Sequence, residues 1–501
     1  MKIDSIVIVG GGSAGWMTCA ALCENFKNIK ITLVESNIVN AIGVGESNLP
    51  EINRFLKLCN LKDKDFMSHC NATYKLSIKF NNFNTKNSFH YPLCKVKKNN
   101  NIDQIPPSIL LSLIDERNLS YETFANYFHE TTDLCDLNKM SYDSEYADDL
   151  NDDYVSYHFE SYKFAEFLRG RYKNHITYIV DDVSHLEQDD MGITQILCKS
   201  GASLNADLYI DCTGFKSLLI KNFSEFIKYD TLCNDRAVVS PVEYDDIENQ
   251  MVPYTNCTGL SSGWVWEIPT WSRKGMGYVY SSKFISDDDA KKEFIRFIGK
   301  NTETRIVDIV SGVRKKGWCK NVVSIGLSYG FVEPLESTGL ATTQEAILKL
   351  INTLQSREGY VNSFDIEKYN ETIDDQITAM KNFTELHYAM SNRMDTPYWK
   401  YVTNDIDYKS ESLSGLFKLI NSGYELDFDN CFPAIYIFAG MGYSLNNKIL
   451  SKKDQRSFYD PVFNPIFDDA FDRWKEHRKN LKIKIQNLKS HYQFLKENIY
   501  I

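Results

Sequence analysis

Residues 5–17 read SIVIVGGGSAGWM. An apolar run ending at Val9 meets three glycines, and the helix-forming stretch MTCAALCENF follows. The spacing predicts a core strand, a tight turn and a helix. Gly10, Gly12 and Gly15 form Gly-x-Gly-x-x-Gly. In such a turn the first glycine makes the bend, the second lets the backbone approach a pyrophosphate, and the third lets helix and strand pack closely. The helix N-terminus then presents unpaired N–H groups and its positive dipole end to the phosphates. A second strand, IKITLVES, ends at Glu35, twenty residues after Gly15. That is where a carboxylate reaches ribose hydroxyls. Strand, turn, helix, strand and acid together predict a dinucleotide site in an α/β fold. The motif does not separate FAD from NAD. A later strand, ADLYIDCTGF, ends in Asp211-Cys212-Thr213-Gly214, a second approach to the cofactor that favours FAD.

The chain has 501 residues, enough for two or three lobes around a large core. A hydrophobic share of 43% with 25% charged residues places it among globular proteins. The formal net charge of -11 argues against a nucleic-acid partner or an anionic membrane surface. No secretory leader is expected, because the N-terminus runs directly into the first core strand. No apolar run is long enough to span a bilayer. The 12 cysteines are scattered without a Cys-x-x-Cys pair, which reads as reduced thiols in a cytoplasmic protein. Cys19 and Cys23, one helical turn apart, read as small apolar packing residues. The histidines show no ligand spacing, so no metal is expected.

Residues 1–360 read as an FAD-binding module, with loop insertions around 82–157 contributing to a substrate lobe. Residues 361–501 read as a mainly helical substrate or cap module ending in one long amphipathic helix. The acidic, tyrosine-rich stretch 141–158 reads as a solvated loop. In CNATYKLSIKF, residues 70–80, Tyr74, Leu76, Ile78 and Phe80 alternate with Lys75, Ser77 and Lys79. That is a strand with one apolar face, and alternation puts Lys75 and Lys79 on the same side. From this stretch alone both lysines read as solvated charges. Trp264 and Trp266, two apart in SGWVWEIP, share a strand face. Taken alone they read as core aromatics.

Four stretches together resemble one family, the flavin-dependent halogenases of the tryptophan-halogenase type. They are GGGSAGWM with IGVGESNLP, CNATYKLSIKF, SGWVWEIP, and VSIGLSYGFVEPLESTG. Smaller echoes are DTPYW and IFAGMG. The resemblance implies an α/β fold: an FAD/NAD(P)-binding, Rossmann-like three-layer FAD domain of the monooxygenase type with a mainly helical substrate-binding lobe. It implies that reduced FAD (FADH2) reacts with oxygen to give a flavin hydroperoxide. Halide is oxidised there to hypohalous acid, which travels through a tunnel to a lysine beside an aromatic substrate. A separate NAD(P)H flavin reductase would supply the reduced cofactor, since no second nucleotide fold is visible. Halide choice among chloride, bromide and iodide is not specified, and a homo-oligomer is left open.

The same resemblance assigns residues. Its lysine, in an Asn-Ala-x-Tyr-Lys context, falls on Lys75. Its glutamate, the second in EPLESTG, falls on Glu336. Burial lowers a lysine's pKa and favours the neutral amine that a haloamine requires. A nearby carboxylate would hold the lysine and take the ring proton. Read alone, Glu336 could simply complement a helix dipole. Thr338 and Gly339 match the halide site, where backbone N–H groups face the anion. Trp264 and Trp266 would fill the space between flavin and substrate and favour halogenation over hydroxylation. FAD contacts implied by the pattern are Gly10, Gly12, Ser13, Ala14, Gly15, Glu35, Ser36, Val39, Val44, Glu46, Val183, Leu327 and Leu340, with residues 42–46 as a strap along the cofactor. His90 or Tyr91 would form part of the pocket wall.

The sequence departs from the tryptophan-specific pattern in one place. That pattern carries Asn-Phe-Trp before its last glycine motif, where this chain has DFDNCFPAIYIFAGMG. Without buried partners for the amino-acid zwitterion, free tryptophan is expected to bind poorly. Electron-rich indoles or phenols are the expected small aromatic substrates. An FAD-dependent aromatic hydroxylase is the competing expectation.

Overall fold

The computed structural model describes residues 1–37, 45–85, 88–93, 124–142, 155–408, 437, 440, 441 and 452–501, the last range without side-chain detail before 468. It divides into two interleaved units: 1–72, 157–232 and 309–381 form the first, and 73–156, 233–308 and 382–501 the second. The units alternate along the chain, so neither is confined to one side of residue 360.

The first unit is built on a six-stranded sheet in the order Trp318–Cys319, Val322–Ser324, Leu208–Asp211, Ser5–Val9, Lys30–Glu35 and Thr177–Val180. All neighbours are parallel except the antiparallel edge pair at Trp318–Cys319. Continuous apolar strands such as SIVIV suit a parallel sheet covered on both faces. Val7, Val9 and Tyr209 on one face pack against Ile193 and Ile196 of a second, antiparallel sheet. Ile6 and Ile8 alternate to the other face and are also buried. The helix Ser13–Asn25 follows the first strand and packs with helices Ser161–Tyr172 and Thr338–Ser356. Sheet, sheet and helices make the expected three layers.

The second unit is built on a seven-stranded sheet: Arg305–Asp308, Arg236–Val242, Lys274–Tyr280, Gly263–Pro269, Tyr254–Gly259, Ser77–Asn81 and Phe89–Pro92. Every pairing is antiparallel except Tyr254–Gly259 with Ser77–Asn81. Helix Asp287–Ile298 covers one face through Ala290 and Phe294. The single long terminal helix expected from the sequence is interrupted. Helix Lys452–Gln486 stops, and a second helix, His491–Asn498, starts with Ser490 as its cap. The Ser490 hydroxyl accepts from the Gln493 N–H at 3.2 Å, satisfying one of the orphan donors that a new helix end creates.

No described helix is long and apolar enough to cross a membrane. No cluster of potential metal ligands occurs among the described residues.

Candidate active site

The glycine turn is set by close approach. A Cβ on Gly15 would stand 1.8 Å from the Gly10 carbonyl oxygen, so only glycine lets helix Ser13–Asn25 sit this near the strand. A Cβ on Gly12 would meet nothing within 4 Å, which leaves open space beside the helix start. No side chain caps that helix. Its first N–H groups are therefore available to an anion. Ser13 Oγ bonds the Ser161 carbonyl at 3.2 Å, and the Ser161 hydroxyl in turn donates to Glu46. Burial pushes the Glu46 carboxyl above its usual range, which the Ser161 bond partly offsets.

Glu35 closes the second strand and is buried. It accepts from the Trp16 indole at 3.2 Å, from Arg169 at 3.5 Å and from the Tyr178 hydroxyl. Its two oxygens offer about four acceptor positions, so this network still leaves capacity for a sugar hydroxyl. Ser36 bonds the neighbouring Asp182, whose carboxyl is held below its usual range by that bond and by Lys199 at 2.9 Å. The Asp181 N–H bonds the Glu35 carbonyl at 2.9 Å, and Val183, one residue after Asp182, opens the antiparallel sheet.

On the same unit, the turn Gly326–Ser328, which contains Leu327, brings Gly326 close to the helix that follows the glycine turn. A Cβ on Gly326 would lie 3.0 Å from the Ala14 Cβ. Glu336 follows in the turn Pro334–Glu336 and is buried. Ser337 then takes a left-handed conformation, φ 60°, as helix Thr338–Ser356 begins without a side-chain cap. A serine there costs about 1 kcal/mol in backbone strain, which fits a turn shaped for a task. The Thr338 hydroxyl is buried and has no hydrogen-bond partner among the described residues. Beside it, a Cβ on Gly339 would meet only open space. An uncapped helix end, an unpartnered hydroxyl and an open glycine thus fall in consecutive residues, at the positions the family pattern matches to a halide. Leu340 lies buried one residue on. Val39 and Val44, and residues 42–44 of the expected strap, lie outside the described residues.

Lys75 and the tryptophan pair belong to the second unit. Lys75 ends the short strand Thr73–Lys75 and is 0% exposed. Leu76 interrupts the strand: its N–H goes to the Pro253 carbonyl at 2.8 Å, and a new strand starts at Ser77. Lys79, beyond the break, remains 23% exposed and reaches Asp136 at 3.9 Å. The two lysines therefore differ, although alternation gives them the same side. Trp264 and Trp266 do share a face, with ring centroids 6.1 Å apart and planes tilted by 56°. Neither indole N–H has a hydrogen-bond partner among the described residues.

His90 and Tyr91 separate clearly. His90 contacts Ser77 Oγ at 2.7 Å through Nδ1 and Asp136 at 3.2 Å through Nε2. Burial holds its imidazole below its usual range, opposed by Asp136. Tyr91 faces the other way and meets the Phe383 ring at 5.7 Å. Nearly all of the stretch that departs from the tryptophan pattern lies outside the described residues, with only 437, 440 and 441 inside them.

Two glycines escaped the sequence reading. A Cβ on Gly11 would stand 1.6 Å from Glu35 Oε2, and one on Gly277 would stand 2.1 Å from the Trp266 ring. The run of three glycines and the alternating glycines of GMGYVY were the available signals.

The parallel sheet, glycine turn and covering helices of the first unit are those of an FAD-binding, Rossmann-like fold. The tryptophan halogenase family model matches residues 5–446, and the chain belongs to that family of flavin-dependent halogenases. It is 33% identical over 428 residues to the tryptophan 6-halogenase SttH of Streptomyces toxytricini, covering 79% of this chain and 80% of that one. It is 32% identical to the tryptophan 7-halogenase RebH of Lentzea aerocolonigenes, covering 80% and 78%. Among solved structures, VirX1 superposes with a TM-score of 0.90 at 35% identity, covering 100% of this chain and 99% of that one. The protein is an FADH2- and halide-using halogenase of aromatic substrates, served by a separate flavin reductase.

Proposed function

We propose that this halogenase acts on electron-rich indoles or phenols, with Lys75 as the residue that presents the halogen to the ring. The observation that carries this reading is the complete burial of Lys75 beside a strand break, while Lys79 keeps a partly exposed ion pair. Lysine is seldom fully buried, so a wholly buried amine at this position calls for a role. Lys75 hydrogen-bonds hypohalous acid, or carries the halogen as a haloamine, after delivery of that small neutral molecule along an internal tunnel.

Reduced FAD, when bound, supplies the oxygen chemistry that oxidises the halide. The glycine turn holds its pyrophosphate, and Glu35 and Ser36 orient its adenosine end. Thr338 and the first N–H groups of its helix hold the halide. Glu336 stabilises the cationic ring and removes its proton. Trp264 and Trp266 keep the substrate ring from the oxidising centre. The tryptophan pair also weighs against the hydroxylase reading.

Incubation with FAD, a flavin reductase, NADH, bromide and a panel of indoles, phenols and free tryptophan tests the assignment. Brominated indoles or phenols in excess over bromotryptophan are expected. Bromination of free tryptophan alone would refute the substrate class, and halide-independent hydroxylation would refute the reaction.

A further inference from the structure

The residue next to Lys75 is held by a histidine from the far end of the chain. The Tyr74 backbone N–H donates to His491 Nε2 at 3.3 Å, and His491 Nδ1–H donates to the Met251 carbonyl at 3.1 Å. Those two bonds fix the neutral ring in one tautomer, with its proton on Nδ1. His491 is 0% exposed, and both ring nitrogens are satisfied by these two bonds.

The helix that carries His491 is firmly docked within the second unit. The His491 N–H bonds the Asn138 carbonyl at 3.2 Å, and Ser490 Oγ bonds Glu248 at 3.1 Å. Phe494, one turn on, packs edge-on against Tyr74 with centroids 6.3 Å apart. At the chain end Tyr500 stacks on Trp271, 3.8 Å between centroids and 6° between planes. This segment lies beyond residue 446, where the match to the family model ends.

We propose that His491 is a positioning residue for the Lys75 amine, so that the C-terminal helix is a working part of the halogen-transfer site. The strand Thr73–Lys75 is only three residues long and is followed by the break at Leu76. So short a strand has few ladder bonds to fix the lysine. Thr73 is pinned on one side by its hydroxyl bond to the Pro269 carbonyl at 2.6 Å, and Leu76 on the other by Pro253. Between them, the His491 ring sets the Tyr74 peptide and hence the origin of the Lys75 side chain. This rests on the reading of Lys75 given above.

The test compares His491→Leu, His491→Gln and His491→Asn, with Lys75→Ala alongside. Brominated indole is measured together with hypobromous acid captured by a 1,3-diketone, FAD binding and thermal unfolding. In His491→Leu, FAD binding and hypobromous acid formation stay near wild type. Brominated indole falls by about a hundredfold, the cost of an ångström-scale misplacement, and hypobromous acid escapes to the trap. Glutamine can place a carbonyl where Nε2 stands and restores product, whereas asparagine, one methylene shorter, does not. That contrast decides the matter if the leucine variant fails to fold. Loss of product and hypobromous acid in equal proportion, or equal product from folded glutamine and asparagine variants, would overturn the proposal. Normal halogenation by Lys75→Ala would instead refute the reading of the lysine itself.

Discussion

A side chain on Gly11 would collide with Glu35: its Cβ would stand 1.6 Å from Oε2. The glycine turn and the acid that ends the second strand are therefore fitted to each other. Gly11→Ala must displace the Glu35 carboxylate from its bonds to Trp16, Tyr178 and Arg169. FAD affinity, followed by flavin fluorescence, is expected to fall by about tenfold or more, the worth of one charged hydrogen bond.

Gly339 offers the opposite case. Its Cβ position is empty, so Gly339→Ala folds without strain. The added methyl enters the space beside the Thr338 hydroxyl and the helix start. Steady-state rates at varied bromide should show a raised KM for halide with FAD binding unchanged. Equal rises in the halide KM and the FAD dissociation constant would show that the two sites are not separable in this way.

Gly277 is packed against Trp266. Gly277→Ala forces the indole to shift within the sheet and is expected to cost about 1–3 kcal/mol of stability, as overpacked cores do. Denaturant unfolding measures this.

His491 gives a pH-dependent prediction with a definite sign. Burial holds its imidazole at about 4, below the ordinary 6.5. Between those values the unfolded chain takes up a proton that the folded protein refuses. The stability contributed by neutral His491 is thus present above pH 6.5 and falls as pH drops toward 4. His491→Leu lacks this term, so its deficit relative to wild type should shrink across that window, by about 3 kcal/mol at most. Urea midpoints at pH 7 and pH 4.5 report it.

The flavin-binding half was legible because its parts are contiguous. Strand, glycine turn, helix and terminal acid all fall within residues 5–35, where local spacing dictates geometry. The lysine was not separable by spacing. Alternation treats Lys75 and Lys79 alike, and the break between them depends on Leu76 bonding a carbonyl from the distant Pro253. Family resemblance, not periodicity, chose Lys75. The stop before His491–Asn498 had a local signal, Ser490-x-x-Gln493, which the continuous amphipathic pattern obscured. His491 itself was invisible: its role comes from a hydrogen bond spanning 417 residues.

Lys75→Ala tests the central claim most directly. Brominated indole and trapped hypobromous acid are measured side by side with reductase, NADH and bromide. The account predicts loss of brominated indole by at least about a hundredfold while hypobromous acid formation and FAD binding persist. Undiminished brominated indole from folded Lys75→Ala, with loss from Lys79→Ala, would contradict it.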